Sequence, residues 1–463
     1  MIFPRTTKSM GNYTRHPASF KDPSGFVFET NSKIYRQVNK VYKAEYDLLM
    51  SSGLYQELVQ QQLLIPHVEI EENLTGTDEY YKTILPDQIN FITYAYEWCF
   101  EELKDAALAT LQTLRVSLDY GMIIKDATPY NIQFHKGKPI FIDTLSFEKY
   151  DPLQPWVAYR QFCQHFLFPL YLEYYLKADL QKTMTTYMEG VPVEIVSKML
   201  PLKSNLSLGV WLHVYTQNTF RNSTKTKAEQ IKFNKKKLLS LVSHLESIIK
   251  KFVVRKATIW GNYYEETILG NEYLANKEKL FGEFCKNLTI TSALDIGANE
   301  GYFAKLLAAR NVQVIATDTD SRTIGNLYQF VKKNGITNVL PLILDVTNPS
   351  PALGFNNKER LAFHQRIKTE LVVALALLHH LVIGKNISLQ IIAGYFAEIS
   401  EYLLIEFVPR EDQKVQQMLA SRRDVFEDYT IDKFEYYFRP YFIVRKKETI
   451  QGTRRTLYLM ERK

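Results

Sequence analysis

The sequence predicts an α/β chain in two parts: a doubly wound, mostly parallel sheet closed by an antiparallel hairpin in the second half, and an α+β region in the first. Three observations predict it. Apolar β-like runs alternate with helical spacing from residue 258 onward, a glycine turn follows the first of these runs, and the last two runs face each other across a short turn.

The first run is Ser292-Ala293-Leu294-Asp295-Ile296, followed by Gly297-Ala298-Asn299-Glu300-Gly301 and then helical spacing over residues 302–309. A glycine at 297 lets the backbone turn tightly beneath a ligand, and Gly301 lets the helix start approach it without a Cβ. Residues 312–318 form a second strand ending in Asp318, about twenty residues beyond the turn, where a carboxylate can accept both hydroxyls of a ribose. Residues 339–344 end in Asp345, and two further apolar runs occupy 371–376 and 402–406. Residues 441–447 and 455–460 flank the turn 449–453, so the last pair is antiparallel.

A length of 463 residues favours two domains. A hydrophobic fraction of 46%, with 30 Tyr and 27 Phe, excludes a disordered chain. Cys99, Cys163 and Cys285 lie too far apart for a disulfide framework or a zinc ribbon, and they suit a reducing cytoplasmic setting. The first residues lack the order of a signal peptide, and no apolar run reaches the roughly 18 residues of a membrane span. Charge is concentrated: residues 221–256 hold eleven basic side chains against two acidic ones, in a protein whose net charge is +7. Leu238, Leu241, Leu245 and Ile248 recur there at helical spacing, so residues 221–256 read as a basic amphipathic helix linking domains at 1–220 and 257–463. Such a helix is either a solvated connector or a surface for nucleic acid and other polyanions.

In the first half, residues 25–38 alternate as a hairpin around Asn31-Ser32, and a helical stretch runs to residue 62. A long helical pattern over 102–120 precedes Ile123-Ile124-Lys125-Asp126-Ala127-Thr128-Pro129-Tyr130-Asn131 and then Pro139-Ile140-Phe141-Ile142-Asp143. The aromatic-rich stretch 156–166 reads as core, with His165 packed within it.

Over 258–463, the run Leu294-Asp295-Ile296-Gly297-Ala298-Asn299-Glu300-Gly301, the segments Ile315-Ala316-Thr317-Asp318 and Leu344-Asp345-Val346, and the closing hairpin resemble the class I S-adenosylmethionine-dependent methyltransferases. The resemblance implies S-adenosyl-L-methionine as cofactor. Asp295 and the turn through Gly297, Asn299 and Gly301 would hold its methionine end, Asp318 the ribose hydroxyls, and Asp345 the adenine amino group. Strand-end capping is the alternative role of these acids. Dinucleotide-binding oxidoreductases are less similar, because Asn299 and Tyr302 break their G-x-G-x-x-G pattern. His379 and His380, just past the fourth strand, suit a general base, and Glu406 with Arg410 could orient a polar acceptor. The Asn-Pro-Pro-Tyr sequence and the cysteine nucleophile of base-methylating enzymes are missing, which favours a small-molecule or sugar hydroxyl, including a glycan, as methyl acceptor.

The first half resembles protein kinases and aminoglycoside phosphotransferases through Asp126 and Asn131, at D-x-x-x-x-N spacing, and Asp143. The resemblance implies that Asp126 would orient an acceptor hydroxyl and that Asn131 and Asp143 would hold magnesium. Lys125, Thr144 and the lack of a glycine-rich loop depart from that pattern. The whole chain is similar to NoeA-like nodulation-related methyltransferases. The resulting expectation is a methyltransferase with an accessory N-terminal domain; the alternatives are a phosphotransferase and a non-catalytic nucleic-acid-binding scaffold.

Overall fold

A computed structural model describes residues 13–221, 234–253, 270–420 and 423–463. Residues 222–233 and 254–256 of the basic run lie outside the described residues. The chain forms two compact units, Met1–Tyr96 with Phe100–Arg255 and Lys256–Pro351 with Ala362–Lys463. The short segment Ala352–Leu361 belongs to the first unit and Glu97–Cys99 to the second, an exchange that a cut within 220–257 does not contain.

In the first unit, β1 (Thr14–Arg15), β2 (Gly25–Thr30), β3 (Lys33–Asn39), β4 (His67–Ile70) and β5 (Tyr80–Pro86) form an antiparallel sheet in the order β1-β2-β3-β5-β4. Asn31 and Ser32 take φ of 49° and 58°, the paired left-handed conformation of a two-residue hairpin, and this sets Thr30 opposite Lys33. The 20-residue helix Phe100–Asp119 buries Leu103, Ala107, Leu111, Leu114 and Leu118, a stripe at three- and four-residue steps. Beyond it, β6 (Met122–Ile124) pairs with β9 (Phe147–Lys149), and β7 (Ile132–His135) pairs with β8 (Lys138–Phe141). The loops between them are stitched together: Lys125 N–H donates to Ser146 O (2.8 Å) and Ile142 N–H to Asn131 O (2.8 Å). His165 is buried as expected, and burial lowers its pKa to about 4. The helix Lys235–Lys251 lies on the Phe100–Asp119 helix and buries Leu238, Val242, Leu245 and Ile249. The expected stripe contained Leu241 and Ile248 in place of Val242 and Ile249; spacing alone fixes the period, and the partner helix fixes which side of it turns inward.

The second unit carries β10 (Ser292–Ile296), β11 (Gln313–Asp318), β12 (Val339–Ile343), β13 (Thr369–Ala374), β14 (Ser400–Phe407), β15 (Phe442–Thr449) and β16 (Thr456–Arg462). Their order is β12-β11-β10-β13-β14-β16-β15. The pairings from β12 to β14 are parallel, whereas β16 runs antiparallel to both β14 and β15. This doubly wound sheet with a terminal hairpin is the fold implied by the methyltransferase resemblance. One side of it buries Ala293, Val314, Ala316, Leu371, Val373 and Leu404 with Phe281, Phe303, Leu307, Leu327 and Val331 from the helices. Two-sided burial explains why these strands read as continuous apolar runs.

Gly301 caps the helix Tyr302–Ala308 with φ of 71°, and a Cβ there would stand 2.6 Å from Leu327 Cδ1. Its smallness serves helix packing, a role the sequence reading did not give it. Gly301→Ala should therefore cost about 2–3 kcal/mol, combining left-handed strain with overpacking. Gly282→Ala, where a Cβ meets nothing within 4 Å in a helix interior, should be neutral or stabilising. Thermal melts of both variants check the contrast, and equal melting temperatures would contradict it.

Candidate functional site

The pairing of β10 with β11 on one side and β13 on the other makes its carboxyl end the topological switch point of the sheet, where α/β folds open a crevice. A cavity of about 260 Å³ lies there. Its wall includes Asp295, Gly297, Asn299, Asp318, Asp345 and His380. The structure thus brings together residues that the sequence places up to eighty-five positions apart.

The turn is fastened to β11: Gly297 and Ala298 N–H groups donate to Thr317 O (2.8 and 2.9 Å), and Asn299 N–H donates to Asp318 Oδ2 (2.9 Å). Gly297 and Asn299 both have positive φ, 77° and 51°, which glycine and asparagine tolerate best. Asp318 Oδ1 also accepts the Asp320 N–H (3.0 Å), so backbone donors offset part of its burial, yet its pKa remains raised by desolvation. Asp295 is 3% exposed, and burial first, then the Asp318 charge, push its pKa up to about 7 against the pull of Lys277. Asp345 caps its own strand end, where Oδ1 accepts Thr347 N–H (2.9 Å) and Oγ1–H (2.6 Å), while Oδ2 lies 3.8 Å from Lys385 Nζ. Capping and cavity position coexist in this residue. After β13, Ala376 takes a strained φ of 50° and lines the cavity between Leu375 and Leu377.

The candidates for catalysis divide. His380 lies in the wall, and burial, with the charges of Lys414 and Arg455, lowers its pKa to about 4, so it is neutral near pH 7. His379 is 1% exposed behind the wall, its Nδ1 without a hydrogen-bond partner among the described residues. Glu406 is fully enclosed and does not line the cavity. Its carboxylate meets Lys277 Nζ (2.6 Å), Arg455 Nη1 (3.4 Å) and the Tyr273 hydroxyl (2.8 Å). Burial would raise its pKa, but the Lys277 and Arg455 charges hold it low. Arg410, its expected companion, is bound to Asp424 and the Phe426 carbonyl. Sequence reasoning missed Lys277 and Tyr273, which reach the cavity wall from the helix Gly270–Cys285. Their signal was weak: a lysine four residues after a tyrosine on a helix is ordinary on a surface.

In the first unit the stitched loops bring Asp126, Asn131 and Asp143 together. Asp126 Oδ1 accepts Thr128 N–H (3.2 Å), and its pKa is raised by burial and then by the Asp143 charge. Asn131 Nδ2 donates to Ser146 Oγ (3.3 Å), whose hydroxyl donates to Asp143 Oδ2 (2.7 Å). Arg36 of β3, unremarked in the sequence, places Nη1 2.5 Å from Asp143 Oδ1. Its signal was the alternation of β3, which puts Arg36 on the same face as Ile34 and buried Val38. Lys125, the departure from the kinase pattern, donates to Ser24 Oγ (3.0 Å) and lies over the Tyr42 ring. Among the described residues there is no cluster of three or more His, Cys, Asp or Glu side chains arranged to hold a metal.

Three comparisons bear on identity. No family model matches the chain. Among solved structures, the N-methyltransferase NodS of Bradyrhizobium japonicum WM9 is 12% identical with a TM-score of 0.31, over 42% of this chain and 97% of that one. The magnesium protoporphyrin IX methyltransferase ChlM of Synechocystis PCC 6803 is 11% identical at 0.31, over 48% and 95%. The bifunctional kinase-methyltransferase WbdD is 14% identical at 0.28, over 41% of this chain and 39% of its own. At these scores the likenesses add no argument to the topology described above. The nodulation protein NoeA of Rhizobium meliloti (strain 1021) is 31% identical over 460 residues, covering 97% of this chain and 96% of the relative. With that identity along nearly the whole length of both proteins, the chain belongs to the NoeA family of nodulation proteins.

Proposed function

We propose that the second unit is an S-adenosyl-L-methionine-dependent methyltransferase acting on a small-molecule or sugar hydroxyl. The observation that carries this reading is the convergence of Asp295, Gly297, Asn299 and Asp318 on one cavity at the switch point of the sheet; Gly301, the last residue of the expected turn, does not line it. These residues fit the cofactor chemically. Asp295, a buried carboxylate held near neutrality, suits a cationic amino group; Asp318 suits a ribose diol; Leu344 and Val346 beside Asp345 offer an apolar wall with an acceptor for a heterocycle. When bound, the cofactor supplies an electrophilic methyl carbon. The protein's work is to align an acceptor in line with that carbon and exclude water. Neutral His380 at the wall can take the hydroxyl proton as the acceptor oxygen bonds to carbon. Its low pKa makes it a weak base but keeps it unprotonated throughout the neutral range. We assign Glu406 to anchoring Lys277 rather than to the acceptor.

For the first unit we propose a substrate-holding or structural role. Arg36 supplies to Asp143 the positive charge that a magnesium ion would otherwise bring.

Three outcomes follow. Asp318→Ala should weaken S-adenosylmethionine binding by about tenfold to a hundredfold, the worth of charged hydrogen bonds, as read by calorimetry on a variant shown to be folded. Unchanged affinity would remove the ribose assignment.

The second outcome is a pH dependence. A cationic ligand end binds the ionised form of Asp295, whose pKa is about 7, so affinity should rise from about pH 6 to 8 with proton release, then flatten. Asp295→Asn should bind weakly at every pH. An affinity that falls as pH rises over that range would contradict the assignment.

Third, the wild type should bind magnesium–ATP weakly, and Asp126→Asn and Asp143→Asn should leave cofactor binding intact while altering acceptor binding or melting temperature. Tight magnesium–ATP binding that vanishes in Asp143→Asn would favour phosphotransfer instead.

A further inference from the structure

No helix among the described residues is long and apolar enough to cross a membrane, yet one short segment of the first unit exposes a run of large apolar side chains between Met199 and Leu212. Leu202 and Leu206 are 86% and 93% exposed at the two ends of a short 3-10 helix, and Leu208 and Trp211, 66% and 53% exposed, follow within five residues. Met199 and Leu212 at either end are also exposed. The segment has no loose attachment. Ser207 caps the turn beginning at Leu208, the Tyr215 hydroxyl donates to Asn205 Oδ1 (2.7 Å), and Gly209 seats so closely on Ile248 that a Cβ would stand 2.7 Å from Ile248 Cδ1. His213 Nε2 meets His244 Nδ1 at 3.1 Å. The apolar segment is therefore bedded on the helix Lys235–Lys251, along the side that bears Leu241, His244 and Ile248.

Basic side chains outnumber acidic ones around it, the nearest acids in sequence being Glu194, one turn before Lys198, and Glu246 of the supporting helix, which is paired with Arg115. Residues 195–221 contain no Asp or Glu, and Lys198 and Lys203 are exposed within the apolar set. On the supporting helix, Lys237 and Lys251 continue the stripe through Leu241, His244 and Ile248 at three- and four-residue steps, and both are exposed. Protruding Leu and Trp side chains, interspersed with and flanked by lysines, match the chemistry of a bilayer interface: the apolar groups enter the boundary between acyl chains and headgroups while the ammonium groups meet lipid phosphates. A protein partner's apolar patch would answer the leucines but not the basic excess. Nucleic acid would answer the lysines but not the leucines.

We propose that this face docks the protein on the surface of an anionic lipid bilayer, through Leu202, Leu206 and Trp211 with Lys198, Lys203, Lys237 and Lys251.

The test is co-sedimentation of the full chain with vesicles of phosphatidylcholine with and without phosphatidylglycerol, at low and high salt. Binding should require the anionic lipid and weaken with salt. The double variant Leu202→Gln/Leu206→Gln should lose about tenfold or more in partitioning, because two leucines no longer leave water. Replacing lysines by glutamine should cost about fivefold each. In a Trp260→Phe background, tryptophan emission should shift to the blue on vesicles, and the shift should be lost when Trp211→Phe is added, since the two remaining tryptophans, Trp98 and Trp156, are already buried. Because the substituted side chains are exposed, circular dichroism should be unchanged, so a negative result counts. No binding to anionic vesicles, or binding unaffected by the leucine variant, overturns the proposal. So does self-association that the leucine variant abolishes without any vesicle binding, or duplex DNA binding through the same lysines in place of vesicle binding.

Discussion

Adjacent parallel strands of a doubly wound sheet end side by side, and in the second unit two of those ends carry carboxylates. The register sets Asp295 opposite Ala316, so Asp318 stands two residues further along the neighbouring strand, close enough for its charge to oppose the ionisation of Asp295. Taking like charges out of water together is unfavourable unless something compensates. Asp318 has backbone donors from Asn299 and Asp320. Asp295, deeper in the sheet, has less, and answers by holding its proton to about pH 7. With burial as the larger cause, the same Asp318 carboxylate that pins the glycine turn thus raises the pKa of its neighbour. The fold and the binding chemistry proposed for it share one set of atoms.

That arrangement needs a wall, and a buried ion cluster secures it. Glu406 near the end of β14 sits among Lys277 and Tyr273 from the helix Gly270–Cys285 and Arg455, which precedes β16. Arg455 also pairs with Asp412 (2.8 Å), so its guanidinium serves two carboxylates. Buried ion pairs repay their desolvation only when charges and hydrogen bonds are nearly saturated, and this cluster uses five side chains to achieve that. Its effect is positional. The closing hairpin can run antiparallel against β14, and the first helix can lie along the cavity, because both are fastened at one carboxylate.

The strands, the glycine turn and the order of acids at strand ends were legible because each follows from local periodicity or from a backbone conformation only certain residues adopt. The methyltransferase resemblance then implied one cofactor group, Asp295, Gly297, Asn299, Gly301, Asp318 and Asp345, of which all but Gly301 line the cavity, while of the separate catalytic candidates His379, His380 and Glu406 only His380 does. Glu406 shows the limit. A carboxylate at the end of a parallel strand looks the same in sequence whether it faces a ligand or a helix, and here the deciding partners, Lys277 and Arg455, come from 129 positions before and 49 after it. His379 and His380 show it at closer range: adjacent in sequence, one is behind the wall and the other in it. Within the basic run expected as one helix over 221–256, the described helix is Lys235–Lys251, bounded by extended backbone at Asn234 and Phe252; it is amphipathic, and its buried stripe is rotated by one residue because the helix it packs against sets the face.

The first unit holds a second acidic pair, Asp126 and Asp143, and resolves the same electrostatic conflict differently. Asp126 again has a raised pKa, but Asp143 has an arginine of its own chain against one oxygen and a serine hydroxyl and a backbone amide around the carboxylate. A divalent cation entering there would have to displace Arg36 from a largely buried position, whereas a cation entering beside Asp295 displaces only a proton. The spacing of aspartates and asparagine that suggests a phosphotransfer site is thus necessary for magnesium binding without being sufficient, since the outcome turns on which positive charge reaches the second aspartate. In this chain β3 brings that charge on the Arg36 side chain, an ion pair that supports the structural or substrate-holding role proposed for the first unit.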